Sequence, residues 1–325
     1  MKKILILLIS TMGLMACGDG SKEEKRILSE SSGNINNLSV ILEQELWRGE
    51  IGEAVRSNLA APVDGLPQEE PLFTLRQMPP ESFSGFMRKS RIFLKIEKGK
   101  PADIKIARDP YAKPQVGIFV SGETNEEIIS LINENSARII TAFKEAEVKE
   151  QQRRIGKSLM DDSRIEEELG VSLKFPDAYR YAKDENGFFW IRKDIPNGSM
   201  EIFVYEVPMA NFESDTNVVA NIIEMRDSIG KTFIPGPTEG THMITEAAYA
   251  PYLFNSEIDG KFAYETKGTW EVKGAFMGGP FINYAVRDEK NNRYLILEGS
   301  TFRPSAAKRD NMFELEAILK SADIK

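Results

Sequence analysis

Arg293-Tyr-Leu-Ile-Leu-Glu-Gly-Ser300 is the stretch from which the fold is read. Tyr294 to Glu298 is short, apolar and rich in aromatic and branched side chains, which predicts a strand rather than a helix. Upstream, Phe281 to Arg287 has the same character. The polar segment Asp288-Glu-Lys-Asn-Asn292 between them predicts a hairpin turn. Downstream, Lys308 to Ser321 predicts a helix, with Met312, Leu315, Ile318 and Leu319 repeating at three-to-four spacing on one face. A strand pair followed by an amphipathic helix is the start of a sheet with helices laid on it.

Working toward the N-terminus, more strands are predicted at Thr241 to Thr245, Phe262 to Val272, Met200 to Val207, Phe188 to Arg192 and Val171 to Phe175. A helix lies among them, capped by Asp215 or Thr216, with Val218, Ile222, Met225 and Ile229 on its apolar face. The first half repeats this coarse order without a detectable sequence repeat. Strands are predicted at Leu38 to Leu42, Arg91 to Ile96, Ile104 to Ala107 and Val116 to Val120. One helix carries Trp47, Ile51, Ala54, Val55 and Leu59. The piece GLPQEEPLFTLRQMPP lacks helical periodicity and is expected to be extended. A long helix opens at Thr124, with Glu127 completing a capping box. Its apolar stripe, Ile128 to Phe143, gives way to a nearly all-charged run from Lys144 to Arg154, expected to be a solvated extension or a bridge.

Strands joined mostly by turns, with helices at intervals, predict an α+β fold of antiparallel sheets flanked by helices, in two units. The expected organisation is residues 1–16 a leader, 17–34 a disordered tether, 35–157 a first α+β domain and 158–325 a second. The second half, through GVSLKFPDAYRY (Gly170 to Tyr181), RYLILEGS and LEAILKSADI, resembles the Mog1/PsbP-like α-β-α sandwich. That resemblance implies an antiparallel sheet and a protein that binds partners rather than catalyses. The mature chain also resembles an uncharacterised family of Bacteroidota lipoproteins, domain of unknown function family 4837. The marks are LPQEEPLF (Leu66 to Phe73), FIPGPTEGTHM (Phe233 to Met243), FMGGPF (Phe276 to Phe281) and KRDNMFELEAIL (Lys308 to Leu319). The likeness implies no activity.

At the N-terminus, Lys2 and Lys3 precede an apolar run from Ile4 to Met15, the length of an export signal's core and too short to span a bilayer, which takes about 20 apolar residues. The run closes on Leu14, Met15, Ala16 and Cys17, which resembles the lipobox of bacterial lipoproteins. The resemblance implies acylation of Cys17, cleavage before it and a lipid anchor in the outer membrane, on the periplasmic face or at the cell surface. An ordinary cleaved signal with an incidental cysteine is the alternative. Cys17 is the only cysteine in 325 residues, so disulfides cannot hold this fold.

The chain carries 42 Lys and Arg against 50 Asp and Glu. Loss of Lys2 and Lys3 with the leader would leave 40 against 50, a balance of −10. That charge disfavours nucleic acid as a partner. The expected partners are the membrane, through acylated Cys17, and an envelope protein or glycan.

No catalytic, metal or cofactor motif stands out. His242 is the only histidine, so zinc, which takes several His or Cys ligands, is disfavoured, and a Ser-His-Asp site would have to use this one residue. A lone histidine in a strand is more often packed or at the surface. Ser-x-x-Lys occurs at Ser228 to Lys231 and Ser305 to Lys308, without the companion motifs of penicillin-recognising enzymes. Asp161-Asp162 and Glu166-Glu167-Glu168 suit a solvated helix face. The candidate binding loops are the glycine-proline segments, through Gly236, Gly240, Gly278, Gly279 and Pro280, with Trp270, Phe276, Phe281 and Phe233 as possible walls. Sharp turns with aromatics packed in the core are the alternative. A non-catalytic binding or assembly role is expected; the rival is a glycan hydrolase using two carboxylates, which a cleft lined by Trp190 or Trp270 with two facing acids would favour.

Overall fold

The structure, a computed structural model, describes residues 27–213 and 217–325. Leu14, Met15, Ala16 and Cys17 lie outside the described residues, as do the expected helix caps Asp215 and Thr216.

The chain begins with β1 (Ser29–Glu30), β2 (Asn37–Ile41), α1 (Gln44–Arg48), α2 (Glu50–Leu59) and β3 (Thr74–Met78). It continues through β4 (Ile92–Lys98), β5 (Asp103–Arg108), β6 (Ala112–Lys113), β7 (Val116–Gly122), α3 (Asn125–Glu134) and α4 (Ser136–Ile155). Strands β3-β2-β4-β7-β5 form a sheet in that order. Here the pairings are mainly parallel: β2 with β3, β2 with β4 and β4 with β7, while only β5 with β7 is antiparallel. The helical crossover α1–α2 between β2 and β3 is what a parallel pair requires. Leu38, Val40, Ile92, Leu94, Ile118 and Val120 alternate onto one face and pack against Ile51, Val55, Ile128, Ile139 and Phe143 of the helices. Phe93 points the other way, onto Phe83 and Tyr111.

Residues 29–34 belong to the fold rather than to the expected tether. β1 pairs in parallel with β6, and Ser32 bridges to Ser90. Gly33 and Asn34 are held by Arg91, whose Nη1 and Nη2 donate to their carbonyls at 3.1 and 2.9 Å.

The second unit runs through α5 (Ser163–Leu169), β8 (Val171–Ser172), β9 (Arg180–Glu185), β10 (Phe188–Ile195), β11 (Gly198–Pro208), α6 (Ala210–Glu213) and α7 (Val218–Phe233). Then come β12 (His242–Thr245), β13 (Tyr252–Ile258), β14 (Lys261–Lys273), β15 (Gly278–Asp288), β16 (Arg293–Phe302), α8 (Arg309–Leu319) and β17 (Asp323–Ile324). Its eight-stranded sheet is ordered β12-β14-β15-β16-β11-β10-β9, with β13 also on β14, and every pairing is antiparallel. The α+β class and the predicted β15–β16 hairpin are thus present, with pairing from Phe281–Ser300 to Asp288–Arg293. Helix α8 covers one face through Leu315, Ile318 and Leu319. The α7 region covers the other, where Ile222 and Met225 meet Phe203, Tyr205 and Ile296. Gly299, inside RYLILEGS, leaves room for α8 to approach: a Cβ there would stand 2.9 Å from Leu315 Cβ.

Several elements differ from expectation. The first predicted helix breaks at Gly49 into α1 and α2, and the second breaks at Asn135 into α3 and α4. The Thr124 cap is present: its side chain accepts from Glu127 N, while Glu127 Oε2 reaches Glu123 N at 2.8 Å. The cap of α7 is Asn217, which accepts from Ala220 N at 3.1 Å. Only Val171–Ser172 of the predicted strand at 171–175 is paired, with β17.

The charged half of α4 is solvated on one side only, where Glu145, Lys149 and Arg153 are exposed. Glu147 and Glu150 are buried, and Arg91 lies between them and the N-terminal segment. Arg91 Nε donates to Glu147 Oε1 at 2.6 Å, and Asn36 N to Oε2 at 2.6 Å. Glu150 accepts from Arg153 Nε and Arg154 Nε, both at 2.7 Å. The helix also reaches the second unit, through Gln152 Nε2 to Ala317 O at 3.0 Å. These charges face an interior because it supplies the opposite charge.

Candidate functional site

Alternation along β10 and β11 builds the site. Trp190 and Arg192 project to the α7 face, and their cross-strand partners are Phe203 and Glu201. The register continues from Glu201 to Ser300 on β16 and from Ser300 to Phe281 on β15. Beyond the C-terminal end of α7, Ile234, Pro235, Gly236 and Pro237 arch over this part of the sheet. They enclose a pocket of about 240 Å³, walled by Trp190, Trp270, Met243, Met277, Val272 and Phe302, with Arg192, Ser199 and Glu201 as its polar lining.

Glu201 is the one acidic residue in that lining. It is 5% exposed and accepts a hydrogen bond from Trp190 Nε1. Arg192 Nη1 stands 3.5 Å from its Oε1, while Arg192 Nε donates to Asp194 at 2.8 Å. Burial raises the Glu201 carboxyl above its ordinary value, against the opposing effect of hydrogen bonds from Trp190 and Ser199 and the charge of Arg192. Trp270 is buried and its Nε1 has no hydrogen-bond partner among the described residues. The pocket is therefore an aromatic and aliphatic cleft with few polar groups, the usual composition of a small-ligand site.

One row deeper, Arg226 of α7 forms a bidentate pair with Glu298, at 2.8 and 2.7 Å. Asn283 Nδ2 donates to the same carboxylate at 2.8 Å, and Arg226 also donates to Thr245 Oγ1. The guanidinium lies 3.5 Å from the centre of the Phe281 ring, a cation-π contact. This network ties α7 to β12, β15 and β16 beneath the pocket.

The predicted loop residues divide among several places. Gly236 lines the pocket, and a Cβ on it would meet Thr241 Oγ1 at 2.3 Å and Val272 at 2.5 Å. Gly278 and Gly279 line an open depression of about 550 Å³ on the far side of Trp270, with Glu246, Glu271, Phe276 and Met277. Gly279 lies under the indole: its Cβ would come 3.2 Å from Trp270 Nε1 and 2.0 Å from Thr301 O. Gly240 turns the 236–241 loop at φ +79°. Pro280 faces a small cavity of about 40 Å³ between the units. Of the expected walls, Trp270 serves the pocket, Phe276 is fully exposed, Phe281 is core and Phe233 stacks on Phe188 at 4.6 Å.

His242 sits in β12 opposite Lys273, outside the pocket lining. Ser228 and Lys231 are exposed on α7, and Lys308 Nζ donates to Ala306 O at 2.8 Å. Neither Ser-x-x-Lys pair joins the site. Glu167 and Glu168 are exposed, as a solvated face requires; Asp162 instead accepts from Ser172 Oγ and Leu173 N at 2.6 and 2.8 Å. Among the described residues no group of three or more His, Cys, Asp or Glu is placed to hold a metal. No described helix is long and apolar enough to cross a membrane. Sequence reasoning missed Arg192, Ser199 and Glu201. Their available signal was a lone acid heading an apolar strand, Met200-Glu-Ile-Phe-Val204.

The four quoted motifs meet in pairs. FIPGPTEGTHM and FMGGPF both contribute to the pocket, through Ile234 to Pro237 and Met277. LPQEEPLF and KRDNMFELEAIL meet at the junction of the units, where Glu70 accepts from the backbone N–H groups of Lys308 and Arg309 at 2.6 and 3.0 Å.

Fold and pocket define an α+β protein whose large antiparallel sheet carries a tryptophan-lined cleft on its α7 face. The chain belongs to the family described as Domain of unknown function (DUF4837), whose model matches residues 158–321. A second model, Domain of unknown function (DUF8532), matches residues 31–156. Among solved structures, the chain is similar to cyanobacterial PsbP from Synechocystis, with 10% identity and a TM-score of 0.35 over 52% of this chain and 93% of that one. No curated protein matches.

Proposed function

We propose that this is a lipid-anchored cell-envelope protein with a non-catalytic binding or assembly role, and that the tryptophan-lined cleft is where it binds. The observation that carries the binding role is the cleft's composition: apolar walls and one carboxylate, Glu201, already engaged by Trp190 and close to Arg192. A two-carboxylate hydrolase needs a second acid about 5–9.5 Å from the first, and among the described residues Glu201 is the one acid in the lining of this cleft.

The anchor rests on Leu14-Met-Ala-Cys17 behind an apolar run. Two or three acyl chains at Cys17 would supply the second signal that stable membrane attachment requires. The proposed setting is the outer membrane of a Bacteroidota-type bacterium, with an envelope protein or glycan as partner.

Palmitate labelling of the wild type against Cys17→Ser tests the anchor; equal labelling removes it. Mild crosslinking followed by membrane extraction tests the role. A reproducible partner that is lost in Trp270→Ala supports it. The hydrolase reading would have to use the open depression, where Glu246 and Glu271 line the surface beside Trp270. Turnover of envelope glycan that disappears in Glu246→Gln or Glu271→Gln would replace the binding role with catalysis.

A further inference from the structure

The large sheet has two contrasting edges. β9 carries Arg180, Lys183, Asp184 and Glu185, and its pairing with β10 shifts register between Trp190 and Ile191. Charges and irregular pairing of this kind are how natural sheets blunt an edge. β13 has neither protection. It pairs with β14 through seven unbroken positions, from Tyr252–Lys267 to Ile258–Lys261, and Glu257 is its only charged residue.

Its first three side chains are large and apolar or aromatic, and they are open on both faces. Tyr252 is 52% exposed, Leu253 36% and Phe254 38%, with Tyr249 and Phe262 exposed beside them. The rings of Tyr252 and Phe254 lie 6.4 Å apart and within 7° of parallel. At its N-terminal end the edge runs into a groove of about 600 Å³ between Tyr249, Ala250 and Tyr252 and the first unit's Pro62–Pro67 loop. Every charged residue lining that groove is acidic: Asp64, Glu69 and Glu246.

We propose that β13 is a strand-addition site that takes an extended peptide segment of a partner protein. The peptide's backbone would complete the ladder, its apolar side chains would rest on Tyr252, Phe254 and Leu253, and a Lys or Arg at its end would enter the acidic groove. The charges select this occupant. A second copy paired antiparallel through β13 would bring its own Glu257 and Asp259 toward the acidic end. An anionic bilayer surface attracts basic, not acidic, segments. The site is separate from the tryptophan-lined cleft and does not depend on what that cleft binds.

The test uses the full chain in detergent and a labelled peptide of alternating valine and threonine ending in two lysines, made with the lysines at either terminus. One orientation is expected to give saturable anisotropy and to slow amide exchange across 252–258 by about tenfold or more. A glutamate-ended peptide is expected to bind about tenfold more weakly, and one with a central proline not at all. Glu69→Lys, at an exposed groove position, is expected to erase the preference for lysine. Phe254→Lys is expected to weaken binding; should it fail to fold, Glu69→Lys and the exchange data still decide. Absence of protection on β13, equal binding of the proline peptide, or no preference for lysine over glutamate would overturn the proposal. So would a dimer, or binding of Cys17→Ser protein to phosphatidylethanolamine–phosphatidylglycerol vesicles, that is lost in Phe254→Lys.

Discussion

Glu70 caps a helix of the other unit: its Oε1 accepts the backbone N–H of Lys308 at 2.6 Å, across 238 positions of sequence. The second oxygen takes the N–H of Arg309, whose Nη1 returns a hydrogen bond to Pro71 O at 2.9 Å. A carboxylate at a helix N-terminus satisfies amides that have no partner within the helix and complements the dipole. Lys308, where α8 begins, has no capping side chain of its own that does this.

Glu70→Ala should therefore cost about 1–2 kcal/mol, measured by urea denaturation. Glu70→Gln should cost less, since one amide oxygen still accepts. A null effect of Glu70→Ala would mean that water replaces the cap without loss.

Stability should fall in acid through Glu150 and Glu316. Burial opposes the charged form of both, yet hydrogen bonds from Arg153 and Arg154 and the charge of Arg91 bring Glu150 down to about 2. For Glu316, the charges of Lys320, Lys267 and Lys144 outweigh its burial and hold it at about 2. The ordinary value is 4.5 for both. A carboxyl depressed on folding contributes stability that is complete above the ordinary value and lost as pH falls toward the depressed one. Melting temperature should decline between about pH 5 and pH 2, and Glu150→Gln should flatten part of that decline. An unchanged slope in the variant would refute the assignment.

Arg226→Met should destabilise the second unit by about 3–5 kcal/mol, because Glu298 would remain buried without a counter-charge. The double variant Arg226→Met, Glu298→Leu should recover most of that loss in the same denaturation experiment. Failure to recover would show that the hydrogen bonds to Thr245 and Asn283, rather than the isolated charge, carry the effect.

Gly279→Ala should cost about 1–3 kcal/mol by overpacking, since the new methyl would collide with Thr301 O and press on Trp270. A shift in tryptophan emission should accompany the loss. Gly240→Ala meets open space and only pays for its positive φ, about 1 kcal/mol, and should leave the emission unchanged.

Much of the second unit is legible in the sequence because its central strands are buried and therefore apolar. β11, β14, β15 and β16 show this, as does α8 with its regular stripe. The strands that escape sequence reading are those whose side chains meet water. β9 reads Arg180-Tyr-Ala-Lys-Asp-Glu185 and looks like a loop, and β13 carries the polar run Asn255-Ser-Glu257 before its last residue, Ile258. The fate of α4 was hidden for the opposite reason. Glu147 and Glu150 look solvated until Arg91, more than fifty positions away, is brought against them. Glycines and prolines mark where backbone replaces side chain: Gly236 lines the cleft, while Gly279 lines the open depression beyond Trp270. Arg192 and Glu201 were not legible, because their meeting depends on the register of β10 against β11.

The contact between Glu70 and α8 also bears on how force applied near the N-terminal end of the described residues would spread through the protein. A pull applied at residues 29–34 enters β1 and the Arg91–Glu147 pair, and from there the long axis of α4. From α4 it can pass sideways through Gln152 into α8, which Glu70 separately clamps to the first unit, so that load is shared in parallel with the covalent stretch at 156–162. The regions matched by two sequence families would then bear tension together, through these cross-unit hydrogen bonds as well as through the chain that joins them.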